Sequence, residues 1–360
     1  MKGSRERERA SAYAASGVDI DAGDAAVDAI MKHVRSTYGP KVLKLEDGFA
    51  GLVKLDGNEG LFKKNLRQPV LASCTDGVGT KLKIAIAMNI HDTVGIDLVA
   101  MSVNDLITLG IEPLIFLDYI GIHKVQPEIV ERIVAGVARG CRQCGANLIG
   151  GEIAELTDIY APGDYDLVGF CAGVGDRKKL ITGAGIRPGD TLIGLPSSGL
   201  HSNGYTLARK ALDAGSKAKL AQRVDELGCE LGLELLKPTR IYVRTIQAVL
   251  KNYRVKKVVH GIAHITGGGL PANIKRLLPN GCKAVLEKST WRRPPIFDLI
   301  SRQGKVEEEE MYDVFNMGLG MVLIVSPHSA NAIFTQLSRL GENPSVVGRI
   351  VRGRKSVEIH

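Results

Sequence analysis

The chain of 360 residues lacks the features that mark membrane and secreted proteins. No stretch reaches the roughly 18 apolar residues that a membrane-spanning helix requires. The charged start MKGSRERERASAY is not followed by an apolar segment, so it does not have the pattern of a secretory signal peptide. These absences predict a cytoplasmic location of the bacterial type, with residues 1–12 forming a mobile basic arm.

Cysteine is also sparse, and its six positions are irregularly spaced along a long chain. Such spacing excludes a disulfide framework of the kind that small secreted domains use. The pair Cys141-x-x-Cys144 has the spacing of half a zinc site, but no second ligand pair follows it at a suitable distance. We therefore interpret these two cysteines as reduced residues, one turn apart on a helix.

Aromatic residues make up only 5% of the chain, and no basic stripe is interleaved with them, which disfavours nucleic acid as a partner. Lys and Arg number 47 against 39 for Asp and Glu, and this scattered net charge of +8 suits binding of anionic metabolites. The pattern GxxxxGK[ST] is absent, so any use of ATP must lie outside the P-loop class.

What is present is a globular composition, 44% apolar and 24% charged, with 42 glycines between apolar runs. Periodicity predicts helices over 21–37, 95–109 and 127–144 and strands over 69–74, 114–120, 166–174 and from 147 onwards. The polar segment GDRKKLITGAGIRPGD sets a boundary at about 175–190. The second half contains two units of strand, glycine loop and helix, over 191–212 and 255–278. We expect an α/β protein with two domains, 13–175 and 176–360.

The run PVLASCTDGVGTKLKIA is the strongest chemical motif in the first half. Its strand delivers Asp76 onto a glycine-flanked turn that ends in Thr80 and Lys81, and a following helix delivers Asn104 and Asp105. Magnesium takes oxygen ligands and shares them with substrate phosphates, and glycines allow backbone N–H groups to approach phosphate oxygens. The pattern therefore predicts a site for magnesium and polyphosphate that includes Gly77 and Gly79.

Each of these residues also has a plain structural interpretation. Asp76 is typical of a turn before glycine, and Asn104 with Asp105 is typical of a pair on a helix surface. Lys81 is consistent with a residue that flanks a strand, and Asp97 with a helix cap. The residue types alone do not decide between these interpretations.

Several further motifs occur in one order from residue 13 to beyond 320: YAASGVDIDAG, TDGVGTKLKIA, GIDLVAMSVNDL, GGEIAE, YDLVGFCAGV, GLPSSGLHSNGY and HGIAHITGGGLPANI. Together they resemble the phosphoribosylformylglycinamidine cyclo-ligase family, also called aminoimidazole ribonucleotide synthetases. Departures from the family pattern are confined to loops, where Ala50 replaces an expected glycine and LTDIYAPGDYD follows GGEIAE.

The resemblance implies a homodimer in which two N-terminal domains pair into a β-barrel and each C-terminal domain forms an α/β sandwich. It implies ATP and Mg²⁺ as cofactors and formylglycinamidine ribonucleotide as the small-molecule substrate. The expected reaction phosphorylates the formamide oxygen, closes the imidazole ring by attack of the amidine nitrogen, and releases ADP and phosphate. Neither nucleic acid nor a membrane is expected as a partner.

The resemblance also assigns roles to residues. The metal ligands would be Asp76, Asn104 and Asp105, and the catalytic groups His201, Glu152 and Lys81. Contacts to ATP or its phosphates would come from Gly77, Gly79, Thr80, Lys81, Gly48 and Gly51. The substrate would be bound by Ser198, His201, Ser202, Asn203, Gly204, His264, Gly267 and Gly268. Asp19 and Asp21 are acidic enough to touch a metal or the nucleotide, and they are equally good helix caps.

Glu152 and His201 keep structural alternatives, as a surface glutamate in a glycine turn and as a histidine that satisfies local backbone. Two other functions also stay open. One is another ATP-dependent member of the superfamily, either selenophosphate synthetase-like or a small-molecule kinase, although the loop EDGFAGL has no reactive cysteine. The other is a non-catalytic nucleotide-binding protein, against which the presence of Asp76, Asp105 and His201 argues.

Overall fold

The computed structural model describes residues 20–43, 52–53, 66–253 and 255–360. In the first half the strands are β1 Val42–Leu43, β2 Leu52–Val53, β3 Pro69–Gly77, β4 Glu112–Ile122, β5 Asn147–Glu155 and β6 Tyr165–Asp176. The helices of this half are α1 Ile20–Arg35, α2 Leu82–Met88, α3 Val94–Thr108 and α4 Pro127–Cys144, with a 3₁₀ turn over Gly79–Lys81.

The strands of the second half are β7 Thr191–Pro196, β8 Arg223–Val224, β9 Cys229–Glu230, β10 Val259–His264, β11 Cys282–Leu286, β12 Leu319–Val325, β13 Ser345–Arg352 and β14 Ser356–Ile359. Its helices are α5 Tyr205–Ala211, α6 Lys217–Leu220, α7 Leu231–Leu235, α8 Val243–Asn252, α9 Gly269–Lys275, α10 Pro295–Gly304, α11 Glu308–Val314 and α12 Pro327–Arg339. Short 3₁₀ turns lie at Arg177–Lys179, Asp225–Leu227 and Lys288–Thr290.

The first half forms a four-stranded sheet in the order β3-β6-β4-β5. Only β4 and β5 are parallel, and α4 makes the crossover between them, as parallel strands require. Helices α3 and α4 pack against each other over this sheet. Their close approach depends on Gly95, because a Cβ there would lie 2.2 Å from the carbonyl oxygen of Ile133.

The second half forms a six-stranded sheet in the order β10-β12-β7-β13-β11-β14. Every residue of the interior strand β12 is buried, which matches its unbroken apolar sequence. Helix α12 packs against β7 and α8, while α3 of the first half contacts β10. The apolar core is continuous through both halves, so α3 is the element that joins the two sheets.

The predicted helices and strands are all present, but strands β3, β4 and β6 run further than expected. Strand β3 continues to Gly77, so Asp76 lies inside a strand and not on the following turn. Strand β5 runs from Asn147 through GGEIAE to Glu155, as expected, so Glu152 lies inside a strand and not in a glycine turn. In both cases a glycine in the sequence indicated a turn, whereas the ladder with the neighbouring strand continues through it.

Over the part of the chain that the structure describes, no helix is both long enough and apolar enough to cross a membrane.

Candidate functional site

A cavity of about 280 Å³ lies where the two halves meet, at the carboxyl end of β10. Strand β3, helix α3, strand β10 and helix α9 each contribute to its wall. Its polar lining combines a carboxylate, an imidazole, a thiol and a guanidinium, from Asp105, His264, Cys74 and Arg276. This mixture of charges over an apolar floor is typical of a small-molecule site.

Asp105 and His264 form a hydrogen-bonded pair in this cavity, although 159 residues separate them in sequence. The His264 Nδ1 atom lies 2.7 Å from the Asp105 Oδ1 atom. Because a carboxylate only accepts, Nδ1 carries a proton, and Nε2 is then the nitrogen that holds a lone pair whenever the ring is in its neutral form. Nε2 is buried and has no hydrogen-bond partner among the described residues. The Asp105 carboxylate remains 49% exposed.

Asp76 belongs to the same electrostatic neighbourhood. Its Oδ1 atom accepts a hydrogen bond of 2.7 Å from the backbone N–H of Gly77. Burial raises the pKa of Asp76, the Gly77 hydrogen bond lowers it, and the charge of Asp105 raises it further while His264 acts in the opposite sense. The predicted convergence of Asp76 and Asp105 is therefore present, with His264 as a third member.

Asn104 is placed differently from its neighbour Asp105. It is fully buried; its Nδ2 group donates to the Arg240 carbonyl at 2.7 Å, and its Oδ1 atom accepts from the Tyr242 N–H at 3.0 Å. Both ends of the carboxamide are thus occupied within the protein. The geometry favours a structural role for Asn104, in holding the second half, over the predicted role of magnesium ligand.

Lys81 also has its donors occupied. Its ammonium is completely buried and contacts Asp97, the His201 carbonyl at 2.9 Å and the Lys237 carbonyl at 2.7 Å. Burial lowers the pKa of Lys81, and the Asp97 carboxylate opposes that shift. No proton of the ammonium remains for a phosphate, so the predicted phosphate contact and catalytic role of Lys81 have no geometric support in this arrangement.

His201 lies in the loop between β7 and α5, in the left-handed conformation with φ of 64°. Only 1% of the residue is exposed, and its Nε2 atom accepts from the Ser198 N–H at 3.2 Å. Burial holds the pKa of His201 well below its usual range, so the ring is neutral. This favours the alternative in which His201 satisfies local backbone, and it disfavours proton exchange by His201 near neutral pH.

The neighbouring loop residues mostly bind to the protein itself. The Ser198 hydroxyl donates to the Pro238 carbonyl at 2.6 Å, and the Ser202 hydroxyl lies 3.2 Å from Asp97. Gly204 caps α5 with φ of 77°, and a Cβ there would lie 2.3 Å from the Phe315 ring. Ser198 also lines a second cavity of about 570 Å³ beside β7 and β12.

Asn203 lies beside Gly267, and apart from Glu152 the remaining predicted residues fall in three places. Gly77, Gly79 and Thr80 follow one another at the end of β3, where the exposed Thr80 hydroxyl lies 3.0 Å from that of Thr206. Gly267 and Gly268 lead into α9, and the Asn273 side chain holds this turn through the Gly267 and Gly269 carbonyls. Gly48, Gly51, Asp19 and the side chain of Asp21 lie outside the described residues, as does the predicted arm.

Glu152 lies on β5, the edge strand furthest from β3. Across the sheet, Glu152 pairs with Tyr119 of β4, and Tyr119 pairs with Val168 of β6. Val168 in turn pairs with Gly77 of β3. Three strand spacings of about 4.8 Å therefore separate Glu152 from the end of β3. Within one chain the structure does not bring Glu152 to the cavity that contains Asp105.

Asp118 is a notable acidic residue that the sequence patterns did not single out. It lies in β4 between Gly169 of β6 and Gly151 of β5, and burial raises its pKa to about 7. A Cβ on residue 151 would lie 2.5 Å from the Asp118 Oδ1 atom, so Gly151 makes the space for this carboxyl group. The only signal in the sequence is one acidic residue within an apolar strand.

Among the residues that the structure describes, no group of three or more His, Cys, Asp or Glu side chains has the geometry of a metal site. Asp76 and Asp105 nevertheless place two carboxylates in one neighbourhood. Magnesium is often held by one or two carboxylates, with substrate phosphates completing its coordination. The donor set therefore fits a metal that arrives with a nucleotide, and it does not fit a closed structural site.

Comparison with solved structures defines the class of fold. A hydrogenase maturation protein, HypE, in complex with ATP covers 91% of this chain with a TM-score of 0.59 and 17% identity, and 88% of that chain is covered. A thiamine-monophosphate kinase from Stenotrophomonas maltophilia K279a covers 92% of this chain and 95% of its own, with a TM-score of 0.60 and 16% identity. At these identities the likeness shows the two-domain α/β fold alone.

Sequence comparison narrows this class to one family. Residues 64–175 match the N-terminal domain, and residues 187–360 the C-terminal domain, of AIR synthase related proteins. A phosphoribosylformylglycinamidine cyclo-ligase of Brevibacillus brevis is 50% identical over 346 residues, which cover 96% of this chain and 97% of that protein. One from an Anaeromyxobacter species is 51% identical over 95% of this chain and 96% of its own. The chain belongs to this cyclo-ligase family, which confirms the resemblance drawn from its motifs.

Proposed function

We propose that the protein catalyses ATP-dependent closure of formylglycinamidine ribonucleotide to 5-aminoimidazole ribonucleotide, with release of ADP and phosphate, in purine biosynthesis. The observation that carries this proposal is identity of about 50% to cyclo-ligases along almost the whole length of both chains. The kinase and HypE relatives share the fold at 16% and 17% identity, so they give little weight to a sibling substrate.

The chemical problem in this reaction is a poor leaving group. A formamide oxygen resists displacement, and transfer of the γ-phosphoryl group of ATP to that oxygen makes it leave as phosphate. The amidine nitrogen then attacks the activated carbon, forms the C–N bond of the ring and loses a proton. A protein accelerates such steps mainly by alignment and by placing charge where it develops.

In this proposal His264 is the general base that accepts the proton lost by the amidine nitrogen. Its Nδ1–H is held by Asp105 at 2.7 Å, so the ring orientation and the tautomer are fixed. Its Nε2 lone pair is buried and unpartnered among the described residues, and His264 is one of the residues that line the cavity. A general base needs an atom of this kind within hydrogen-bond reach of the substrate.

Asp76 and Asp105 are the residues that would hold magnesium. Burial has the largest effect and raises the pKa of Asp76, and the like charge of nearby Asp105 raises it further. Magnesium would supply positive charge against the phosphates of ATP. We further propose that Gly77, Gly79 and Thr80, with Gly48 and Gly51, form the nucleotide side of the site, in a domain spanning 13–175, and that 176–360 completes the substrate side.

A second copy of this chain is the proposed partner of the four-stranded sheet. The sheet face opposite α3 carries Leu71, Val168 and Phe170, which are 75%, 38% and 38% exposed. Strand register places Phe170 opposite Thr75, and Val168 opposite Gly77, on neighbouring strands. Exposed apolar side chains clustered on one face mark an interaction surface, and barrel pairing of two N-terminal domains would bury them.

The test is ADP release by the purified protein with ATP and magnesium, with and without formylglycinamidine ribonucleotide. Substrate-dependent release, matched by an equal amount of aminoimidazole ribonucleotide, is the expected result. His264→Gln should lose most of this activity, and His328→Gln, the same change at an exposed histidine, should keep it. ATP binding without substrate-dependent turnover would contradict the proposal, and selenide and thiamine monophosphate would then be the substrates to screen.

A further inference from the structure

One ion pair lies completely buried between the two halves. The Lys81 Nζ atom is 2.9 Å from Asp97 Oδ1 and 2.8 Å from Asp97 Oδ2, and neither side chain has any exposed surface. Both residues come from the first half: Lys81 ends the 3₁₀ turn after β3, and Asp97 lies in the first turn of α3.

The other contacts of this pair all cross to the second half. Lys81 donates to the carbonyls of His201 and Lys237, at 2.9 and 2.7 Å. Asp97 Oδ1 accepts from Thr239, through its N–H at 2.7 Å and its hydroxyl at 2.6 Å. The Ser202 hydroxyl is 3.2 Å from the same oxygen. Two loops, residues 197–204 and 236–240, are therefore bonded to one buried pair.

We infer that Lys81 and Asp97 are positioning residues of the proposed reaction, which hold loop 197–204 of the second half in its working conformation against the nucleotide side of the first. The expected change in KM rests on the proposed function, whereas the expected loosening of loop 197–204 can be measured without it.

Energetics favour a positioning role over a simple stabilising one. A buried ion pair contributes little net stability compared with apolar residues of the same size, because both charges lose their hydration. The ion pair instead fixes a position, because Lys81 holds the His201 carbonyl. The backbone of His201 has φ of 64°, which is unfavourable for a residue with a side chain. Replacing the pair would therefore loosen this loop more than it weakens the core.

The position of Lys81 gives the pair a second consequence. Lys81 follows Asp76 by five residues along the turn that contains Gly77, Gly79 and Thr80. A further contact, between the Thr80 and Thr206 hydroxyls at 3.0 Å, joins the same turn to α5. The strand end proposed to bind the nucleotide is thus bonded directly to the loop that was predicted to bind the substrate.

This inference and the phosphate-binding prediction for Lys81 give opposite results in one experiment. Lys81→Met removes the charge and keeps the side-chain length. A positioning role predicts that the Kd for MgATP without substrate changes by less than about threefold, while the KM for formylglycinamidine ribonucleotide rises by at least about tenfold. Backbone hydrogen exchange in residues 198–204 should accelerate by at least about tenfold, with the β11 and β13 amides unchanged.

Lys83→Met is the matched control, because Lys83 lies two residues further on, is exposed, and pairs with Asp164 at the surface. If Lys81→Met does not fold, Thr239→Val keeps the N–H bond to Asp97 and removes the hydroxyl contacts to Asp97 and to Ser202, and it should show the same pattern more weakly.

Loss of MgATP affinity with unchanged exchange in 198–204 would overturn the inference and restore the phosphate role. Unchanged exchange and unchanged KM would also overturn it. If the wild-type protein does not turn over the substrate, the proposed function fails, and the exchange measurement still decides whether Lys81 positions the loop.

Discussion

The pKa of Asp118 makes a sharp prediction about stability. Burial raises this pKa to about 7, against 3.8 for an exposed aspartate. Ionising Asp118 in the folded protein therefore costs on the order of 4 kcal/mol more than ionising it in the unfolded chain. Between about pH 4 and pH 7 the folded state binds more protons at Asp118 than the unfolded state does. The Asp118 contribution to the free energy of unfolding is therefore fully present below pH 4 and is lost as the pH rises through 7.

Asp118→Asn should remove this dependence. At pH 8 the variant should be more stable than the wild-type protein, by up to about 4 kcal/mol, and the difference should shrink towards zero at pH 4. Urea unfolding followed by circular dichroism at steps between pH 4 and pH 8 gives the difference directly, since every other titrating group cancels. Asp158→Asn, at an exposed site, should follow the wild-type curve. A difference that is constant across this pH range would refute the reasoning.

Three further changes test other parts of the site and the fold. Asp76→Asn should reduce turnover at least about 100-fold, because a carboxylate ligand is lost, while the circular dichroism spectrum and the oligomeric state stay unchanged. Asn104→Ala should lower the free energy of unfolding by about 2–5 kcal/mol in urea titrations, since it leaves the Arg240 carbonyl and the Tyr242 N–H buried without their partner. Phe170→Glu should convert a dimer into a monomer in sedimentation experiments, and an unchanged sedimentation coefficient would exclude this face as the interface.

Helices were the part of the fold that could be predicted well, because their ends carry local signals. Helix α4 spans Pro127–Cys144, as its sequence predicts. Pro127 occupies the first turn, where its missing N–H costs nothing, and Gly145 ends the helix with φ of 81°. Both signals depend on the backbone of one or two residues, so they do not require knowledge of the tertiary structure.

Strand ends were predicted less well, because a glycine has the same appearance in a turn and in a crowded strand. Gly151 lies inside β5, where the Asp118 carboxyl occupies the space that a side chain would need. Gly77 lies at the end of β3 within 3.0 Å of the Leu167 carbonyl, measured from an ideal Cβ position. In both cases the neighbour that requires glycine belongs to another strand, so it cannot be identified from the local sequence.

The candidate site shows the same limit for polar residues. Asp105 and His264 were each selected for their chemistry, with roles in metal and in substrate binding, yet their contact at 2.7 Å was not foreseen. Lys81 was selected as a partner for an anion, and it does have one, but the anion is Asp97 rather than a phosphate. A residue type indicates the kind of partner that is needed, and only the tertiary structure identifies that partner.

Helix α3 shows how part of this ambiguity could be resolved from periodicity. Asp97 and Asn104 are seven residues apart, so they share one face, and that face is fully buried against loops 236–242 of the second half. Asp105 is turned by about 100° from Asn104, and its carboxylate reaches the cavity that contains His264. On this helix the two adjacent polar residues therefore contact different neighbours. Asn104 shares the phase of Asp97, which binds the protein, so the helix directs Asn104 to the second half and Asp105 to the cavity.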